Sequence, residues 1–163
     1  MKHLLLIKTL LLTLFIASQT DCFAQQATDV QGTMNMIVKK HEASEGVNCL
    51  TVAKGSGLEL VKMMFNKEFG KEFMKGIKSI TIIEYTDASE ETCMVLRKDL
   101  DTFLDLLQEF DLSQEEQFAN NDFLRCFASA SDTSTISDFV IAIEDAEAKM
   151  LMYMAGNIRI DSL

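Results

Sequence analysis

Two short stretches near the C-terminus, Phe139-Val-Ile-Ala-Ile-Glu144 and Met150-Leu-Met-Tyr-Met-Ala155, decide how the rest of the chain is read. Each is apolar at nearly every position, and along a strand successive side chains point to opposite faces. Phe139, Ile141 and Ile143 then face one way and Val140 and Ala142 the other, while Met150, Met152 and Met154 oppose Leu151, Tyr153 and Ala155. The two strands form an antiparallel hairpin around Asp145-Ala-Glu147. Both faces of the sheet they build need a cover, because a soluble chain rarely leaves a large apolar patch in water. One cover is a helix of the same chain, and the segment from Asp29 to Glu42 is the candidate. The other is a partner protein, a lipid-like ligand or a second copy of the chain, for which the adaptable methionine side chain is well suited. On that reading Met150, Met152, Met154, Tyr153 and Val140 make up an interaction surface.

Upstream of the hairpin a third strand is expected at about Phe123 to Ala130, after the polar Ser113-Gln-Glu-Glu-Gln117 stretch. Further back, Leu96, Leu100, Phe103 and Leu107 repeat on one face of a helix that starts at Ser89, whose hydroxyl suits a cap. Glu90 and Glu91 match the positive end of its dipole. The β-branched Ser79-Ile-Thr-Ile-Ile-Glu-Tyr85 reads as a strand. A long helix before it carries Leu58, Val61, Phe65, Phe69 and Phe73 as one stripe. Val47 to Ala53 is a short strand, and Val30, Met34, Ile37 and His41 mark a first amphipathic helix over residues 29–43. Helices between the early strands imply parallel pairing there and antiparallel pairing at the end. The fold class is therefore α+β: a two-layer sandwich with a mixed sheet of about five strands, helices packed on it, and a closing hairpin.

The first residues have the order of a secretory leader. Met-Lys-His-Leu-Leu-Leu-Ile-Lys8 is basic, Thr9 to Ala17 is apolar but too short to span a bilayer, and Cys22-Phe-Ala24 offers small residues at the first and third positions before a cut. Residues 1–24 are read as a signal peptide and 25–163 as one domain, with no integral membrane segment after cleavage. Lipid anchoring at Cys22 is disfavoured by Gln19, Thr20 and Asp21 before it. The chain has 15 basic and 25 acidic residues and a net charge of −10. Loss of Lys2, Lys8 and Asp21 with the leader makes it one unit more negative. That sign repels nucleic acid and anionic membrane, so nucleic acid is excluded as a partner.

Chemistry is sparse. Cys49, Cys93 and Cys126 lack CxxC or metal-ligand spacing and read as buried thiols, with one disulfide as the other option. His41 has no histidine or cysteine at ligand spacing, so no metal is expected, and its place beside Lys39 and Lys40 suits an exposed capping cation. Lys54-Gly-Ser-Gly57 departs from phosphate-loop spacing and reads as a strand-to-helix connection. The acidic groups Asp87, Glu90 and Glu91, and Glu144, Asp145 and Glu147, lack the ordered calcium-loop series. The acidic run from Glu109 to Glu116 reads as a solvated face. No catalytic residue and no cofactor is assigned.

The quoted segments resemble the small secreted bacterial proteins grouped as domain of unknown function 4252. The stretches that carry the likeness are Ile37-Val-Lys-Lys-His-Glu-Ala-Ser-Glu-Gly-Val47, Lys75-Gly-Ile-Lys-Ser-Ile-Thr-Ile82, Phe139-Val-Ile-Ala-Ile143 and Leu151-Met-Tyr-Met-Ala-Gly-Asn-Ile-Arg-Ile160. Family members carry a glycine-rich turn in the last hairpin, where this chain has Asp145-Ala-Glu-Ala148. The resemblance implies an exported protein of the periplasm or cell envelope of a Gram-negative bacterium and brings no catalytic residues. Three functions are expected in order: a non-enzymatic module binding an envelope protein or itself, a binder of a small apolar ligand near Met63, Met64, Met150 and Met152, and a hydrolytic enzyme.

Overall fold

The computed structural model describes residues 30–110, 124–130 and 135–159. Helix α1 (Val30–His41) leads to strand β1 (Asn48–Val52), then come α2 (Gly55–Phe69), α3 (Lys71–Gly76) and β2 (Ile77–Glu84). Helix α4 (Glu90–Leu104) precedes β3 (Gln108–Phe110), β4 (Leu124–Ala130), β5 (Thr135–Glu144) and β6 (Lys149–Arg159). The class is α+β. The strands form one six-stranded sheet in the order β1-β2-β6-β5-β4-β3, and every neighbouring pair is antiparallel.

Three expectations need correction. The sheet is antiparallel, not mixed, because the connection from β1 to β2 is broken in two: Gly70 takes φ 81° and separates α2 from α3. Two helical segments bring the chain back to the end of β1 that it left, with Val52 opposite Ile80. Helix α4 joins β2 to β3, which run the same way but are not neighbours, since β6, β5 and β4 lie between them. The sheet has six strands, not about five. The added strand β3 includes Glu109, whose side chain is exposed, as a solvated face requires, and is held at 2.9 Å by Arg125 on β4. Finally, the sandwich has helices on both faces, because both sheet faces are apolar and each needs a cover.

Helices α2 and α3 pack Leu58, Val61, Phe65, Phe69 and Phe73 over Ile80, Ile82, Phe139, Ile141 and the three methionines of β6. Phe69 stacks on Phe73 at 5.5 Å between centroids, and Phe73 meets Phe139 edge-on at 5.4 Å. Helices α1 and α4 cover the other face, packing Met34, Ile37, Leu96, Leu100 and Phe103 over Ile83, Val140, Leu151 and Tyr153. The first helix does cover the second face, together with α4. Ser89 caps α4 by accepting from the Thr92 amide at 3.2 Å.

The hairpin between β5 and β6 closes without glycine. The Asp145 carboxylate accepts from the amides of Glu147 and Ala148, each at 2.6 Å, which satisfies backbone groups in the way a tight turn requires. Gly76 and Gly156 lie across the β2–β6 pairing, and a Cβ on either would collide with the backbone of the other strand. That close approach accounts for the glycines of the Lys75-Gly76-Ile77 and Gly156-Asn157-Ile158 stretches. No described helix is long and apolar enough to cross a membrane. The leader, Cys22, the 113–117 stretch and Phe123 lie outside the described residues.

Candidate functional site

The five residues expected to form an interaction surface are in the core. Met150 and Met152 are 2 % exposed, Tyr153 is 1 %, and Met154 and Val140 are 0 %. They do not share a face either: the methionines lie under α2 and α3, while Tyr153 and Val140 lie under α1 and α4. The apolar-ligand site is not assembled, since Met63 points to solvent, Met64 packs on the core edge, and Met150 and Met152 are enclosed by side chains. The three described cysteines are free thiols, Cys93 and Cys126 buried and Cys49 half-buried. Burial pushes the Cys126 thiol up to about 12, and burial with the nearby Glu42 charge pushes Cys49 to about 11.

Polar chemistry collects on the α1/α4 side of the sheet. Asp138 and Val140 sit two apart on β5 and so share that face. The Asp138 carboxylate accepts from the Tyr153 hydroxyl at 2.6 Å, from Ser129 at 2.6 Å and from Ser137 at 2.5 Å. Arg97 on α4 pairs with Glu144 beside the hairpin, and its Nε is buried with no hydrogen-bond partner among the described residues. Burial, and then the Glu144 charge, push the Tyr85 hydroxyl next to this pair up to about 12.

A further polar arrangement lies where α1 ends over α4. His41 continues the apolar stripe of α1 four residues after Ile37, so its ring is carried into the layer and is 3 % exposed. It is not the exposed capping cation expected from Lys39 and Lys40. Its Nε2 lies 2.6 Å from Asp99 Oδ2 on α4, and the Lys40 ammonium donates to the same oxygen at 2.7 Å. Burial raises the Asp99 pKa, but the hydrogen bonds and charges of Lys40 and His41 outweigh it and hold the carboxyl below the usual carboxylate range. An ionised Asp99 accepts from Nε2–H, which fixes the orientation of the ring.

Nδ1 has no hydrogen-bond partner among the described residues and is not sealed from solvent. His41 lines a shallow groove of about 310 Å³ together with Lys40, Ser44, Glu91, Thr92 and Val95. The groove is a built feature. The turn after α1 closes through Ser44 N to His41 O at 2.9 Å and Val47 N to Ser44 O at 3.1 Å. Gly46 takes φ 75° there, and a side chain at that position would strike the backbone of Asp87 and Ala88. The turn is thus pressed onto the segment leading into α4, and its Ser44 lines the groove together with Glu91 and Thr92 of α4.

Of the lining residues, sequence reasoning singled out His41 and Glu91 and assigned neither to a site. The available signal was the place of His41 on the α1 stripe. Among the described residues no group of three histidine, cysteine or acidic side chains is placed to hold a metal ion. The chain matches no protein-family model, no curated protein and no solved structure.

Proposed function

We propose that the protein is an exported envelope protein acting as a non-enzymatic protein-interaction module, and that its contact surface is the groove between α1 and α4. The observation that carries this reading is the His41 ring: almost wholly buried, oriented by Asp99, lining an open groove, and with its second nitrogen unpaired among the described residues. Buried polar atoms are nearly always paired, and one that opens on a groove is a ready contact for an incoming group. Export and the envelope are supported by the leader pattern and by the resemblance to domain of unknown function 4252. The test is in-cell crosslinking from a photoreactive residue at Val95, 47 % exposed in the groove, against the same residue at Met63, 62 % exposed on α2. A discrete adduct from position 95 alone supports the reading. No adduct, or equal adducts from both positions, rejects it.

The oriented imidazole favours one second reading, a hydrolytic enzyme with His41 as general base and the Ser44 hydroxyl as nucleophile in the same groove. Hydrolysis of a simple nitrophenyl ester that falls to the solvent rate in His41→Gln and Ser44→Ala supports it. Equal rates for wild type and both variants end it.

A further inference from the structure

We infer that the outer face of α2 and α3 docks on an anionic membrane surface, with Leu60 and Met63 entering the lipid and the lysines around them meeting the phosphate headgroups. That face lies across the sheet from the groove and owes nothing to the contact proposed there. Two independent observations carry it. The first is apolar. On α2, Ser56, Leu60, Met63 and Lys67 recur at spacings of four, three and four, which puts them on one stripe opposite the buried Leu58, Val61 and Phe65. Leu60 is 46 % and Met63 62 % exposed on that stripe, two large apolar side chains one turn apart.

The second is charge. The net charge of −10 would repel such a surface if it were spread evenly, and it is not. Residues 54–78 hold six of the chain's 15 bases and only three of its 25 acids. Glu59 and Glu72 are each matched by a lysine, Lys62 at 3.5 Å and Lys75 at 3.9 Å. Lys67, Lys71 and Lys78 are exposed and form no ion pair among the described residues, so positive charge frames the apolar pair. The acidic groups of α1 and α4 lie beyond the sheet, farther off than the roughly 10 Å width of one helix, and salt screens them over about 8 Å. The sign matters, because α4 exposes apolar residues too: Met94 and Val95 follow closely on Glu90 and Glu91, which hold them off an anionic surface. A purely acidic polypeptide would satisfy the lysines and leave Leu60 and Met63 in water. A bilayer serves both, with acyl chains under a layer of phosphates and lysine stems long enough to keep their heads at that layer.

The chain has no tryptophan, so Met63→Trp and Met94→Trp each introduce a single fluorescent reporter, at positions 62 % and 64 % exposed on opposite sides of the sheet. The full chain is mixed with vesicles of phosphatidylglycerol and phosphatidylcholine. The reporter at position 63 should shift to the blue and be quenched by brominated acyl chains, and the one at position 94 should do neither. Lys67→Gln and Lys71→Gln, each made in the Met63→Trp chain, should weaken binding roughly fivefold, the effect of one basic residue near an anionic surface. Lys39→Gln, the same loss of charge at an exposed position of α1, should weaken it less than twofold. No shift at position 63, equal shifts at 63 and 94, or an equal shift with phosphatidylcholine alone would overturn the inference. So would equal losses in Lys67→Gln and Lys39→Gln, which would mean a response to net charge only. A shift at 63 produced by soluble polyglutamate and not by vesicles would overturn it as well, and mark an acidic protein as the partner. The Val95 crosslink reads the groove separately, and neither result decides the other.

Discussion

The two faces of the sheet are built from the same six strands but from different chemistry. Under α2 and α3 the contact is hydrocarbon and aromatic throughout: Phe69, Phe73 and Phe139 interlock and the methionines of β6 fill the gaps between them. Under α1 and α4 the layer includes polar groups tied to one another: Tyr153 to Asp138 and His41 to Asp99. Packing of the first kind gives stability that depends little on pH or orientation. Buried hydrogen bonds of the second kind fix side chains in one geometry, which is what a contact site requires and a core does not. On the function proposed above, the first face supplies stability and the second carries the contact, and the groove lies on the second.

The comparison breaks most easily at Phe73, which is 0 % exposed and touches two other rings. Phe73→Ala should cost about 3–5 kcal/mol by urea unfolding. A loss below 1 kcal/mol would mean the α2/α3 face is not the stabilising one. On the polar face Tyr153→Phe removes the hydroxyl from Asp138 and keeps the ring against Phe103. It should cost about 1–3 kcal/mol, since a buried acceptor loses its partner. Asp99→Asn should cost less, about 1 kcal/mol at neutral pH, because Lys40 and the carboxylate both reach solvent.

That last effect has a sign in pH. The folded-state pKa of Asp99 lies below the unfolded-chain value of roughly 3.9, so its stabilising contribution is full above that value and is lost as pH falls through the folded-state pKa. Wild type and Asp99→Asn should therefore differ in stability at pH 7 and converge in acid, as followed by unfolding at successive pH values. The smallest effect is kinetic. Native Cys126 and Cys49 should react with a disulfide reagent at pH 8 far more slowly than in the denatured chain, because burial holds both as thiols.

Much of this contrast was written locally and could be read. The alternation of Phe139 to Ile143 against Val140 and Ala142, and of Met150 to Met154 against Leu151 to Ala155, divides the way the two cores do, because strand periodicity is a property of the segment itself. The helix stripes at Leu58 to Phe73 and Leu96 to Phe103 were legible for the same reason. Strand direction was not, since it depended on one glycine, Gly70, turning a single crossover into two segments. Strand β3 is three residues long and is held by a partner on β4, so no periodicity announces it. The groove was least legible. His41 and Asp99 are 58 positions apart, and only the packing of α1 on α4 makes them neighbours.

The last strand in sequence is also a central one. β6 lies between β2 and β5, and until it is seated the described strands are an antiparallel β1–β2 pair and a β3–β4–β5 set with no strand pairing between them. Neither core can close, because the Met150 to Ala155 side chains belong to both. The native sheet therefore cannot exist before residues 149–159 are in place, whatever the earlier strands have formed. The glycines at 76 and 156, where the two backbones come closest, form the clasp by which that late strand locks the two parts together.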